Sequence, residues 1–153
     1  MVRKIQLWLF ATLLACGSLK SAAQDKGYWR AASSNANDIT GDLAITNDKL
    51  TINFSAFTIA QIRPLKPAES SAVFDADPGA GGSGNLYRLN VPAQKRFLHH
   101  NTLCGSDDTQ WIATYVQGRA LHVAFFSGSE MPVFTPEALA NSTDVCGTFS
   151  YSR

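Results

Sequence analysis

The chain predicts an all-β domain, a single antiparallel β-barrel or sandwich of about eight short strands held by one disulfide. Three features lead there. Apolar and polar side chains alternate at the two-residue period of a strand, and turn residues separate the alternating runs at regular spacing. Only one short stretch, Pro136-Glu137-Ala138-Leu139-Ala140, reads as a helical turn, with proline at the first helical position where a missing N–H costs nothing. With 153 residues, 45% of them hydrophobic, the chain supports one core.

Taken in order, residues 39–46 and 49–54 alternate around Asn47-Asp48, which is turn chemistry, so they read as a β-hairpin. The alternation puts Leu50, Ile52 and Phe54 on one face and Thr51 and Asn53 on the other. Residues 57–65 continue as a strand through Phe57, Ile59 and Gln61 until Pro64 and Pro67 stop it. Residues 66–84 form the longest irregular stretch and end in Pro78-Gly79-Ala80-Gly81-Gly82-Ser83-Gly84, which reads as a flexible surface loop. The next strand, 85–91, places Tyr87, Leu89 and Val91 on one face. Residues 111–116 and 120–126 flank Gln117-Gly118-Arg119 and form a second hairpin, apolar on both faces and therefore central. The last strand, 145–151, aligns Phe149 with Tyr151. No internal repeat suggests a propeller or solenoid.

The first 23 residues read as an address. Arg3 and Lys4 precede an apolar run, 5–15, broken only by Gln6 and Thr12, and the small residues Ser21, Ala22 and Ala23 follow. That is the pattern of a secretory signal peptide, and cleavage after Ala23 would leave residues 24–153 as the β domain. The run is shorter than the roughly 20 apolar residues of a membrane span. A second reading is that Leu13-Leu14-Ala15-Cys16-Gly17, which resembles the lipobox of bacterial lipoproteins, lipidates Cys16; only then would the protein be tied to a membrane. The expected location is periplasmic or secreted, or lipid-anchored through Cys16.

Removal of the signal takes Arg3, Lys4 and Lys20 and no acid, so ten basic residues face twelve acidic ones. Lys95-Arg96 is then the one adjacent basic pair, and a nucleic-acid partner is not expected, because counterion release needs clustered Lys and Arg. Cys104 and Cys146 remain, an even number in an exported chain, and are expected to form a disulfide.

Motifs that carry chemistry are sparse. Gly79-Ala80-Gly81-Gly82-Ser83-Gly84 satisfies G-x-G-x-x-G, but an acidic loop precedes it and a strand follows, whereas a dinucleotide needs the N-terminus of a helix. Asp75 and Asp77 have a spacing that suits calcium, yet Leu86 stands where an EF-hand loop needs its last carboxylate. His99 and His100, adjacent on a strand, would point to opposite faces and chelate no common metal. His122 lies among apolar strand residues and reads as structural. No G-x-S-x-G elbow supports a hydrolase. Neither cofactor nor metal is expected. Two glycosylation sequons begin at Asn53 and Asn141.

Trp29-Arg30-Ala31, Ile39-Thr40-Gly41-Asp42-Leu43, Asn101-Thr102-Leu103-Cys104-Gly105 and Cys146-Gly147-Thr148-Phe149-Ser150-Tyr151 together resemble a group of small exported bacterial proteins of unknown function. Ser83-Gly84-Asn85-Leu86-Tyr87 is similar to the S-G-x-x-Y motif of the periplasmic and membrane-bound inhibitors of c-type lysozyme. That resemblance implies a small exported β-barrel whose motif serine enters the lysozyme cleft. The family's second motif, Y-x-x-x-T-K-G, has its nearest counterpart in Tyr115-Val116-Gln117-Gly118, which lacks both Thr and Lys. The leading expectation is a non-enzymatic exported domain that binds a protein partner or small ligand of the cell envelope through Ser83, Gly84 and Asn85; inhibition of a c-type lysozyme or other cell-wall hydrolase is the alternative.

Overall fold

The computed structural model describes residues 24–153. The predicted signal segment, with Cys16, lies outside the described residues. The described chain forms nine strands: β1 Gly27–Ala31, β2 Leu43–Ile45, β3 Lys49–Ile52, β4 Ser55–Thr58, β5 Ala60–Leu65, β6 Ser83–Val91, β7 Thr109–Gln117, β8 Ala120–Phe126 and β9 Val145–Ser152. Two α-helices, α1 Pro67–Phe74 and α2 Pro136–Asn141, and two short helical turns, Ala36–Thr40 and Leu98–His100, complete it. All strands join one antiparallel sheet in the order β4-β3-β2-β1-β9-β8-β7-β6-β5.

That order curls the sheet. β4 and β5 stand at opposite edges, yet Ile59 alone separates them in the chain, so the two edges converge there. Ile59 is buried and its N–H donates to the Asp48 carbonyl at 2.9 Å, which pins the crossing. No β4–β5 ladder closes the seam. Pro64 in β5 and the register shift between Gln61 and Arg63 are devices that keep an edge from pairing.

Side-chain parity on the central strands decides what is buried where. Tyr87, Ile112, Val123 and Phe125 point into the curl with Trp29, Leu50 and Tyr151. Leu86, Ala113, Ala124 and Phe126 point outward and are covered by α1 and α2 through Val73, Phe74 and Leu139, with Phe134. Both faces of β7 and β8 are therefore largely buried, as the apolar residues on both their faces require. The second hairpin closes through Gly118-Arg119, since Gln117 pairs with Ala120. Cys104 and Cys146 are bridged, with Cα atoms 4.9 Å apart, tying the β6–β7 connection to β9.

Several expectations need correction. The stretch 66–84 is not one irregular loop. α1 begins with Pro67, and the Glu69 carboxylate accepts from the Lys66 N–H at 2.8 Å while forking onto Arg63 at 2.8 Å on both oxygens. Its other end is stopped by Asp75 in a left-handed conformation. In the glycine run after it Gly79 and Gly81 are exposed, but Gly82 is packed: a Cβ there would come within 2.3 Å of the Tyr115 hydroxyl. Residues 57–65 are two strands rather than one. Ile39 and Thr40 belong to a wide helical turn, Ala36–Thr40, closed by the Gly41 N–H on the Ala36 carbonyl. Phe54 leaves the face of Leu50 and Ile52, because the chain reverses at Asn53-Phe54. His99 and His100 are not on a strand; both lie in a turn with positive φ.

Candidate functional site

The curled sheet leaves a cleft of about 540 Å³ beside its seam, walled by the segment Gln24-Asp25-Lys26, by Asn47 of the β2–β3 turn, by Gln61 and Leu65 of β5, and by Gly82, Ser83, Gly84 and Asn85. The three sequence candidates thus share one site. Ser83 is a half-buried first residue of β6, opposite Val116, rather than the tip of a protruding loop. Gly84 is buried under α1: a Cβ there would lie 2.6 Å from the Thr114 carbonyl and 3.0 Å from the Ser70 hydroxyl. A side chain at this position has no room.

Asn85 points inward with Tyr87, and the two meet a carboxylate that precedes the first strand. Asp25 is buried, and its Oδ2 accepts from the Tyr87 hydroxyl at 2.7 Å, the Thr114 hydroxyl at 2.6 Å and the Asn85 amide at 3.1 Å. Its backbone carbonyl accepts from the Trp29 indole N–H at 2.8 Å. Charge-assisted bonds of this kind are the usual condition on which a carboxylate is buried. Lys26 completes the group, with Nζ 3.8 Å from Asp25 Oδ1 and donating to the Tyr87 oxygen at 2.8 Å. Gln61 donates to Asn85 Oδ1 at 2.9 Å, extending the chain of bonds to the cleft surface.

Burial first, and then the bond to Asp25, pushes the Tyr87 phenol well above its ordinary value, so it remains a donor across the physiological range. No described buried side-chain nitrogen or oxygen lacks a partner. The result is a pre-set wall of amide groups with a cation beside it. Oδ2 of Asp25 spends its acceptor capacity on this scaffold.

Other sequence candidates do not join the cleft. Asp75 caps α1, and Asp77 accepts from the Gly79 N–H at 2.9 Å, so the calcium-like spacing serves local turns. Among the described residues no group of His, Cys, Asp and Glu is arranged to hold a metal. His122 Nδ1 lies 3.0 Å from the Ser150 hydroxyl, with its ring beside Tyr115 and Phe74; burial lowers its pKa. Asp25, Lys26, Asn47, Gln61 and Thr114 were not visible as site residues in the sequence. The nearest signal was the phase of Asn85, two residues before a core tyrosine.

The Cys104–Cys146 bridge is the chemistry of an oxidising, non-cytoplasmic compartment, and no helix among the described residues is long and apolar enough to cross a membrane. Comparison of the chain with protein-family models, with curated proteins and with solved structures finds no match.

Proposed function

We propose that this protein is an exported, non-enzymatic binding domain that recognises a polar ligand or partner surface of the cell envelope at the Ser83–Asn85 cleft. The observation that carries this reading is the buried Asp25 network. It fixes the Asn85 and Gln61 amides before any ligand arrives, and pre-organised polar groups on a concave wall are what selective binding needs. Export is supported by the disulfide and by the signal-like residues 1–23; the seam of the curled sheet, read as a nearly closed barrel, supplies the concavity.

Envelope extract passed over the immobilised disulfide-bonded protein tests the reading, with Asn47→Arg as the control. Asn47 is exposed in a turn and lines the cleft, so arginine there obstructs the site without disturbing the core. A component retained by the native protein and released by Asn47→Arg supports the cleft; equal retention by both sinks it. A c-type lysozyme serves as the defined probe for the alternative reading. Inhibition at micromolar concentration, lost in Asn47→Arg, would make this cleft an inhibitor surface.

A further inference from the structure

Two features of the β1–β4 half play no part in the cleft, and they adjoin one another. Ile52 pairs directly with Ser55, so Asn53-Phe54 is a two-residue hairpin loop, and both residues have positive φ, 44° and 69°. Asn-Gly meets such a turn most easily, because glycine has no Cβ to strain. Here the second position is a phenylalanine that is 97% exposed. Neither backbone preference nor burial accounts for that ring. It forms one wall of a groove of about 190 Å³ that also involves Tyr28, Asp42, Ala44 and Thr51, and Tyr28 is itself 58% exposed. The groove is smaller than the roughly 300–1,000 Å³ of small-molecule pockets, so it suits one side chain rather than a free metabolite.

Its charged group can only accept. The Tyr28 hydroxyl donates to Asp42 Oδ2, and the Ala31 N–H donates to Oδ1 at 2.9 Å. Each carboxylate oxygen keeps further lone-pair capacity. Those two bonds, the tyrosine's first, hold the Asp42 carboxyl below the usual carboxylate range, so the groove carries a negative charge at neutral pH.

We propose that the Tyr28–Phe54 groove receives an arginine side chain of a partner protein. A guanidinium has flat faces that stack on aromatic rings and an edge made only of donors, which complements an acceptor-only carboxylate. An anionic group is repelled by Asp42, and a lysine brings the charge without a face to stack. Arg30, exposed on β1 two residues from Tyr28 and on the same strand face, carries the same charge as the guest and opposes its entry.

The test titrates three blocked peptides, carrying a single arginine, lysine or citrulline, into the disulfide-bonded protein while the Tyr28, Asp42 and Phe54 resonances are followed. The arginine peptide is expected to bind about tenfold more tightly than the citrulline one, the scale of one charge-assisted bond. Asp42→Asn should weaken it by a similar factor, and Arg30→Gln should tighten it. Phe54→Gly and Phe54→Asn should both weaken it with no fall in Tm, because both residues accept a left-handed turn and no packing is lost. Equal responses to arginine and citrulline, no response to any peptide, or weaker binding in Arg30→Gln would each overturn the proposal.

Discussion

Replacing Asp25 by alanine removes the one acceptor shared by three inward donors. Of these, the Asn85 amide borders the cleft and can take water instead, whereas the Tyr87 and Thr114 side chains are about 1% and 0% exposed. Orphaning a buried donor costs roughly 1–3 kcal/mol. Thr114 has a fallback in the Asn85 carbonyl at 3.4 Å, a long and weak bond, so its share belongs at the low end of that range. The sum is about 3 kcal/mol, which for a chain of this size lowers Tm by roughly 10 °C. Urea denaturation of the oxidised protein gives the number directly. The internal control is Tyr87→Phe, which removes one donor: the double variant Asp25→Ala/Tyr87→Phe should cost about 1–2 kcal/mol less than the sum of the singles, because deleting both partners leaves no orphan at position 87. A loss under about 1 kcal/mol for Asp25→Ala, or strict additivity in the cycle, would refute the network as a structural anchor of the cleft.

Four further outcomes follow from the same geometry. Reduction of the Cys104–Cys146 bridge, which spans a sequence separation of 42, should cost about 4 kcal/mol on the chain-entropy model; denaturation with and without reductant measures it, and the untreated protein should show no reactive thiol among the described residues. Gly84→Ala should destabilise by about 2–3 kcal/mol, since its Cβ would meet the Thr114 carbonyl at 2.6 Å, and thermal melting against the wild type checks it. Phe54→Gly should hold or raise stability by about 0.5–1 kcal/mol, because an exposed ring surrenders no burial and the left-handed strain is released. Burial lowers the folded-state pKa of His122, so the unfolded chain takes up this proton first; stability should be level above about pH 6.5 and fall as pH drops from there toward the folded value, a slope that His122→Gln removes in denaturation curves between about pH 7 and 5.

The parts of this fold legible in the sequence are those whose causes lie within a few residues. The β7–β8 hairpin could be read because its two arms are apolar on both faces and joined by a glycine-containing turn. α2 could be read from Pro136, and the structure adds the Thr135 hydroxyl accepting from the Ala138 N–H at 3.2 Å. The disulfide followed from parity. α1 could not, because its apolar residues are few and its start is fixed by Glu69 reaching back to Arg63, an ion pair no periodicity announces. Phe54 was misplaced because alternation continues through a turn in which phenylalanine occupies the glycine position.

Alternation along single strands, turn residues and cysteine count thus determined the class: antiparallel β, bridged, with Tyr87, Phe149 and Tyr151 inside. The tertiary structure alone decided how the sheet curls, since Phe57, Ile59 and Gln61 keep one strand phase and no turn residue tells the chain to change edges at Ile59. It also decided the site. Asp25 meets Asn85, Tyr87 and Thr114 across sequence separations of 60, 62 and 89 residues, and their local patterns are those of ordinary strand positions. Local chemistry sets which face a residue takes, but only closure of distant strands sets which residue it faces.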